Sequence, residues 1–246
     1  MKAIILCAGY GTRLGDLTKD TPKPMLPVNG KPLLEYIIDN FRRYGFTDIA
    51  INLHYKGDAI RSYFGDGTRH GVSITFFHEQ ELLGTAGSVR AMQSFIDNDE
   101  PFLVHYGDII TDQDFGSMLR FHKSKPDAIA TLLVHTRKQS NSIIVTDNDS
   151  RITQFIERPS EELRAKYSSD LVNSGIALFS PEMFSYISPT AKDLPRDVYS
   201  SITNKAVLYA YHLDSFRVAI DSAERLVIAE EWAKGRLNCD LCDGDD

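Results

Sequence analysis

A short, mostly apolar run, KAIIL (residues 2–6), opens directly into C-A-G-Y-G-T-R-L (7–14), and a lysine held as P-K-P (22–24) follows soon after. The four consecutive apolar residues after Lys2 are the pattern of a strand buried on both faces, as in a parallel sheet. Glycines placed immediately after such a strand lie at its carboxyl end, the edge where open α/β sheets gather their ligands. Gly9 and Gly11 let the backbone come close and present N–H groups to an anion. Arg13 can fork onto phosphate oxygens. Pro22 and Pro24 stiffen the backbone around Lys23, so its charge is placed in advance. The stretch suits a triphosphate. It is not a dinucleotide fingerprint, because G-x-G-x-x-L lacks the third glycine, and no G-x-x-x-x-G-K-[ST] loop exists in the chain.

Downstream, strand and helix patterns alternate. Leu33, Leu34, Ile37, Ile38 and Phe41 recur at helical spacing between Pro32 and Tyr44, with Gly45 as the stop. DIAINL, VSITFF, PFLVHY and AIATLLV read as strands; 59–64, 85–96 and 115–123 read as helices. This βαβα series predicts a mostly parallel sheet covered by helices. The second half is richer in strands: a hairpin turning at Asp147-Asn148-Asp149, then LVNSGIALF, AVLYAYHL and FRVAID, before a closing helix over 222–234. The expected fold is therefore α/β. A Rossmann-like, mostly parallel mixed sheet is flanked by helices, with a smaller β-rich part. One domain over 1–236 and a flexible acidic tail over 237–246 are expected.

The 246 residues carry a formal charge of -7, which argues against a long nucleic acid held by its phosphates. No apolar stretch reaches membrane-span length. Three cysteines, Cys7, Cys239 and Cys242, are too few for a disulfide framework and point to the cytoplasm. The C-D-L-C near the end supplies only half of a structural zinc site.

CAGYGTRL…TPKPMLPVNGKPLLEY resembles the signature of the sugar-1-phosphate nucleotidylyltransferases, the NDP-sugar pyrophosphorylases. The resemblance continues in order through ELLGTAGSV, HYGD, FIERP, VNSGIALFSPEMF and VAIDSAERL, over roughly 220 residues. It implies the GT-A-like nucleotidyltransferase fold. It also implies a reaction in which a sugar 1-phosphate attacks the α-phosphorus of a nucleoside triphosphate and pyrophosphate leaves. A phosphate monoester with a second pKa near ~6 is largely dianionic at neutral pH, so no general base is required. The task is to offset anion repulsion and align the reactants.

By resemblance, Arg13 and Lys23 are the catalytic cations, and Asp108 and Asp221 hold Mg²⁺. Leu6, Ala8, Gly9, Gly11 and Thr12 line the nucleotide, with Gly84 and Thr85 in the loop that reads the base. Glu79 or Gln80 pairs with the base edge; an acidic side chain suits guanine, a Gln suits uracil or thymine as well. Tyr106, Gly107, Glu157, Arg158, Asn173 and Gly175 fall to the sugar phosphate. Arg158 stands where the family usually has lysine, which keeps the charge and changes the geometry.

No hexapeptide repeat appears, so a stand-alone catalytic domain is expected. EQELLGTAGSV is similar to the mannose/heptose guanylyl type, which favours GTP with mannose or heptose 1-phosphate. The alternatives are a UTP-dependent enzyme acting on N-acetylmuramate 1-phosphate or another hexose 1-phosphate, and a silent regulatory homologue that binds nucleotide sugar. Retention of Arg13, Lys23, Asp108 and Asp221 argues against the silent form. The expected partners are the two substrates, without nucleic acid or membrane, and a homodimer is compatible with the resemblance.

Overall fold

A computed structural model describes residues 1–96, 100–138 and 140–240, the last four by their backbone only. In chain order the strands are β1 (Lys2–Leu6), β2 (Pro27–Val28), β3 (Lys31–Pro32), β4 (Asp48–Leu53), β5 (Ser73–His78), β6 (Phe102–Tyr106), β7 (Ile109–Thr111), β8 (Ala128–Thr136), β9 (Ser142–Thr146), β10 (Ile152–Glu157), β11 (Leu171–Phe179), β12 (Val207–His212) and β13 (Arg217–Ala219). The helices are α1 (Leu33–Arg43), α2 (Gly57–Phe64), α3 (Gly84–Ala91), α4 (Phe115–Lys123), α5 (Glu161–Ala165), α6 (Ser200–Ile202) and α7 (Ala223–Asp240).

Seven strands form the main sheet in the order β12-β8-β11-β6-β1-β4-β5. β1 pairs in parallel with β4 and β6, β4 with β5, and β12 with β8; β11 runs antiparallel to both β6 and β8. The sheet is thus the mixed, mostly parallel one that the alternating pattern predicts. Alternation along β1 sends Ala3 and Ile5 into one apolar layer and Ile4 into the other, as expected of a strand covered on both faces. Each Leu, Ile or Phe so buried stabilises the fold by about 1.5–3 kcal/mol.

Helix α1 shows how local chemistry sets the layers. Leu33, Leu34, Ile37, Ile38 and Phe41 are buried along one face. Gly45, at φ +79°, ends the helix, with its N–H on the Arg42 carbonyl and the Phe46 N–H on that of Phe41. That paired closure satisfies two orphan carbonyls and needs a left-handed residue, which glycine supplies without strain. Helix α3 is shorter than its apolar spacing predicts. The Met92 N–H is shared between the Ser88 and Val89 carbonyls, and a 3₁₀ turn over Gln93–Phe95 replaces the last helical turn. Helix α7 extends beyond residue 234, to Asp240. The C-D-L-C motif and the acidic tail predicted beside it fall largely outside the described residues. Among the described residues no helix is long and apolar enough to cross a membrane.

Candidate active site

The parallel register sets the frame of the site. Leu6 stands opposite Asn52 on one side and Tyr106 on the other, so three strands end together. The segments that follow them converge on a cavity of about 390 Å³. Its wall includes Leu6, Ala8, Gly9, Gly11, Thr12, Arg13 and Lys23 from the first loop. Glu79, Gly84 and Thr85 come from the second loop, and Tyr106, Gly107 and Asp108 from the end of β6. Every residue predicted for the nucleotide except Gln80 reaches this cavity. Gln80 is exposed, whereas Glu79 is buried.

Glu79 is held by its neighbours. Its Oε1 accepts from Asn52 Nδ2 at 2.7 Å and from Ser88 Oγ at 2.6 Å, and its Oε2 accepts from the Leu83 N–H at 3.1 Å. Asn52 Oδ1 in turn accepts from the Cys7 N–H at 2.7 Å. One network therefore ties the glycine loop to the loop over 79–85. Two glycines are required by close approach. Gly84 has φ +74°, and a Cβ there would lie 2.2 Å from the Lys192 carbonyl oxygen. A Cβ on Gly107 would lie 2.5 Å from Cys7 Sγ. Burial, helped by Asp108, raises the Cys7 thiol far above its ordinary pKa, so this cysteine is packing and no nucleophile.

The two aspartates are brought together by a ribbon that the sequence did not reveal. β13 pairs antiparallel with β7, Ala219 opposite Ile109, and the Ile220 N–H donates to the Asp108 carbonyl at 2.8 Å. Asp108 just before β7 and Asp221 just after β13 thus share one end of the ribbon. Lys23 Nζ meets Asp108 Oδ2 at 2.6 Å. Arg13 Nη1 lies 3.7 Å from Asp221 Oδ2, and Arg225 Nε lies 3.3 Å from Asp221 Oδ1.

The residues predicted for the sugar gather beside the cavity. β11 bulges between Asn173 and Ala177, and Asn173 Oδ1 accepts the Gly175 N–H at 3.1 Å. Gly175, at φ +77°, leaves room where a Cβ would press on Tyr106 and Ile109. The Tyr106 hydroxyl is raised by burial and meets Thr85. Glu157 is pushed up to about 7, first by burial and then by the charge of Asp193. Arg158, at φ +50°, points mostly into solvent, its Nε 3.9 Å from Glu157 Oε1.

The sequence profile of the nucleotidyl transferase family, described by that name, matches residues 2–217. The chain belongs to the nucleotidyl transferase family. A UTP–glucose-1-phosphate uridylyltransferase of Synechocystis is 35% identical over 87% of this chain and 58% of its own length. A mannose-1-phosphate guanyltransferase beta-A of Xenopus laevis is 31% identical over 88% of this chain and 60% of its own. The chain thus spans about three-fifths of the curated relatives it matches. Among solved structures, a Bacillus anthracis protein crystallised as a candidate glucose-1-phosphate thymidylyltransferase superposes with TM-score 0.83 at 25% identity over 95% of each chain. A UDP-glucose pyrophosphorylase of Acinetobacter baumanii superposes at 0.79 with 19% identity, over 93% of this chain and 91% of its own, which speaks to fold alone.

The chain has a donor set that fits Mg²⁺ in part. Among the described residues no group of three or more His, Cys, Asp or Glu side chains could hold a metal by itself. Asp108 and Asp221 offer hard oxygens at one ribbon end, and Mg²⁺ takes one or two carboxylates and completes its shell with phosphates and water. Four residues of the site escaped the sequence reading. Asn52 and Ser88 hold Glu79; Arg225 holds Asp221; Arg217 donates from Nε and Nη2 to the Ser174 carbonyl at 3.2 and 2.7 Å. Arg225 stands four residues after Asp221 at a helix start, the spacing of a facing pair. That spacing was a usable signal.

Proposed function

We propose that the protein joins a nucleoside triphosphate to a sugar 1-phosphate, releasing pyrophosphate and forming an NDP-sugar. The observation that carries this reading is the set of cations and carboxylates around one cavity at the carboxyl ends of parallel strands. Lys23 and Arg13 face that cavity, and each is matched to an aspartate. In this reading the glycine loop receives the triphosphate, and Lys23 and Arg13 stabilise the charge that grows on the leaving pyrophosphate. Both cations exchange their aspartate partners for phosphate oxygens when the substrate enters. Asp108 and Asp221 would hold Mg²⁺, which would supply Lewis-acid stabilisation of the phosphoryl oxygens. The bulge at Asn173–Gly175 and the Glu157 carboxylate orient the sugar hydroxyls.

For the substrates, we favour GTP with a manno-configured sugar 1-phosphate, mannose or heptose. Glu79 supports guanine. It is the buried acidic acceptor of the base-reading loop, and its Oε2 retains an acceptor site for a base N–H. The Leu83 N–H, which could have served a pyrimidine carbonyl, is already given to Glu79. Relatives named as mannose-1-phosphate guanylyltransferases recur at 27–32% identity. The second reading, UTP with glucose 1-phosphate, is favoured by the 35% identity of the Synechocystis relative. Single-domain organisation over 1–236 and action in the cytoplasm belong to the same proposal.

Pyrophosphate release with Mg²⁺ over a grid of nucleoside triphosphates and sugar 1-phosphates tests it. The expected active combination is GTP with mannose or heptose 1-phosphate. Activity with UTP and glucose 1-phosphate alone would establish the second reading. No activity anywhere, with nucleotide sugar still bound, would establish a silent binding protein.

A further inference from the structure

Cations around the Asp108–Asp221 pair fall into two groups. Arg13 and Lys23 line the cavity. Arg217, Arg225 and Arg137 do not line it; Arg217 and Arg225 meet around β13, and Arg137 lies near enough to weigh on the charge of Arg217. Arg217 opens β13 and reaches the Ser174 carbonyl inside that bulge. Arg225, in the first turns of α7, reaches the Ala219 carbonyl at 3.2 Å as well as Asp221. Arg137 follows β8, its N–H on the Asp170 carbonyl at the start of β11. His135, two residues earlier, bonds Ser174 Oγ through Nδ1 at 2.8 Å.

Arg217 is the anomaly in this group. It is half-buried, and among the described residues its hydrogen bonds go only to a neutral carbonyl. A guanidinium has five N–H donors, so most of its capacity is left unused. Even partial burial of an arginine without a bonded anion costs free energy. That cost appears in its pKa, drawn down to about 10, chiefly by burial and further by Arg225 and Arg137. The nearby Asp108 and Asp221 oppose that shift without bonding to it. The same three arginines, after burial, hold His135 neutral, with a pKa of about 4. Three like charges kept together beside a neutral histidine are arranged for an anion that arrives with the substrate.

We propose that Arg217, Arg225 and Arg137 form the subsite for the phosphate monoester of the sugar 1-phosphate, with Arg217 as its principal contact. The inference rests on the proposed reaction. The attacking phosphate must approach the α-phosphorus from the side opposite the leaving pyrophosphate. Pyrophosphate belongs to Arg13 and Lys23, which leaves the far flank of the aspartate pair for the attacker. The sugar itself then lies over the Asn173–Gly175 bulge that Arg217 braces. Arg158, expected from the sequence to hold this phosphate, stands on the exposed rim with Glu157 and plays a lesser part.

The test is calorimetric binding to the full chain. The probes are mannose 1-phosphate, glucose 1-phosphate and inorganic phosphate, each with a nucleoside triphosphate analogue that cannot be cleaved at its α–β bridge. Arg217→Met should weaken sugar 1-phosphate binding about 10–100-fold, as expected for loss of charged hydrogen bonds, and leave the analogue's own affinity within about twofold. Arg137→Ala, at an exposed position, should weaken it severalfold, and Arg158→Ala less. Unfolding midpoints check that each variant is folded. Wild-type sugar 1-phosphate affinity in folded Arg217→Met, or equal loss of both ligands, would overturn the subsite, as would absence of binding by all three anions to the wild type. If Arg217→Met abolishes binding and yet no triphosphate and sugar pair turns over, the subsite stands and the proposed reaction falls.

Discussion

Lys23 and Asp108 are 85 positions apart in the chain and form a 2.6 Å ion pair at the cavity wall. In the proposed reaction the pair keeps the cation where the triphosphate would arrive and keeps the carboxylate aligned until it does. On that proposal Lys23→Ala removes transition-state charge stabilisation and leaves the fold in place, since the side chain holds up no packed layer. We expect turnover to fall by about 10²–10³-fold, comparable to loss of one preorganised donor, with an unchanged unfolding midpoint. Steady-state pyrophosphate release checks this; turnover within twofold of wild type would remove Lys23 from the catalytic set.

Asp221 is shared between Arg13 and Arg225, at 3.7 and 3.3 Å. Asp221→Asn keeps the shape and removes the charge, so the Mg²⁺ concentration needed for half-maximal rate should rise about tenfold or more. Chelation of divalent ions should abolish wild-type turnover, and added Mg²⁺ should restore it. A Mg²⁺ titration that overlays that of the wild type would count against the metal role.

Gly84 stands at φ +74°, with its absent Cβ directed at the Lys192 carbonyl. Gly84→Ala meets two penalties, a left-handed backbone and a steric overlap with main chain. Together they cost about 2–4 kcal/mol. Thermal unfolding should drop by roughly 5–15 °C, and triphosphate affinity should fall with it, because Thr85 and Tyr106 shift too. An unchanged melting point would show that the Lys192 segment moves aside freely.

What was legible in the sequence was local. KAIIL, the glycines after it and P-K-P each declare their structure within a few residues, so β1, its loop and the position of Lys23 could be read directly. Asp108 is singled out by resemblance, through HYGD, and it stands two residues past the end of β6. Arg217 could not be read. FRVAID reads as a strand, but the surroundings of its arginine depend on pairing with β7, over a hundred residues earlier. The choice between Glu79 and Gln80 was hidden for the same reason. Leu53 stands opposite His78, and this register brings Asn52 to Glu79; no pattern within HEQELL contains that information. Helix α3 stopped early because one shared N–H tightened its end, a competition between two carbonyls that apolar spacing does not register.

Glu157 carries the pH prediction. Its folded pKa is raised to about 7 by burial and Asp193, against an ordinary value of 4.5. Between those values the folded state holds a proton that the unfolded chain has released. Stability from this group is therefore fully present below about 4.5 and is lost as pH rises through about 7. Glu157→Gln mimics the protonated form and should flatten that part of the stability profile. Under the proposed function, sugar recognition by Glu157 runs the other way. An ionised carboxylate accepts hydroxyl hydrogens at both oxygens, whereas the acid must donate one proton. The KM for sugar 1-phosphate should fall as pH rises from 6 to 8 in the wild type, beyond the change that ionisation of the substrate phosphate near ~6 produces. In Glu157→Gln only the substrate's own ionisation should remain, with a higher KM throughout. Parallel KM–pH curves for the two proteins would show that Glu157 does not meet the sugar in its charged form.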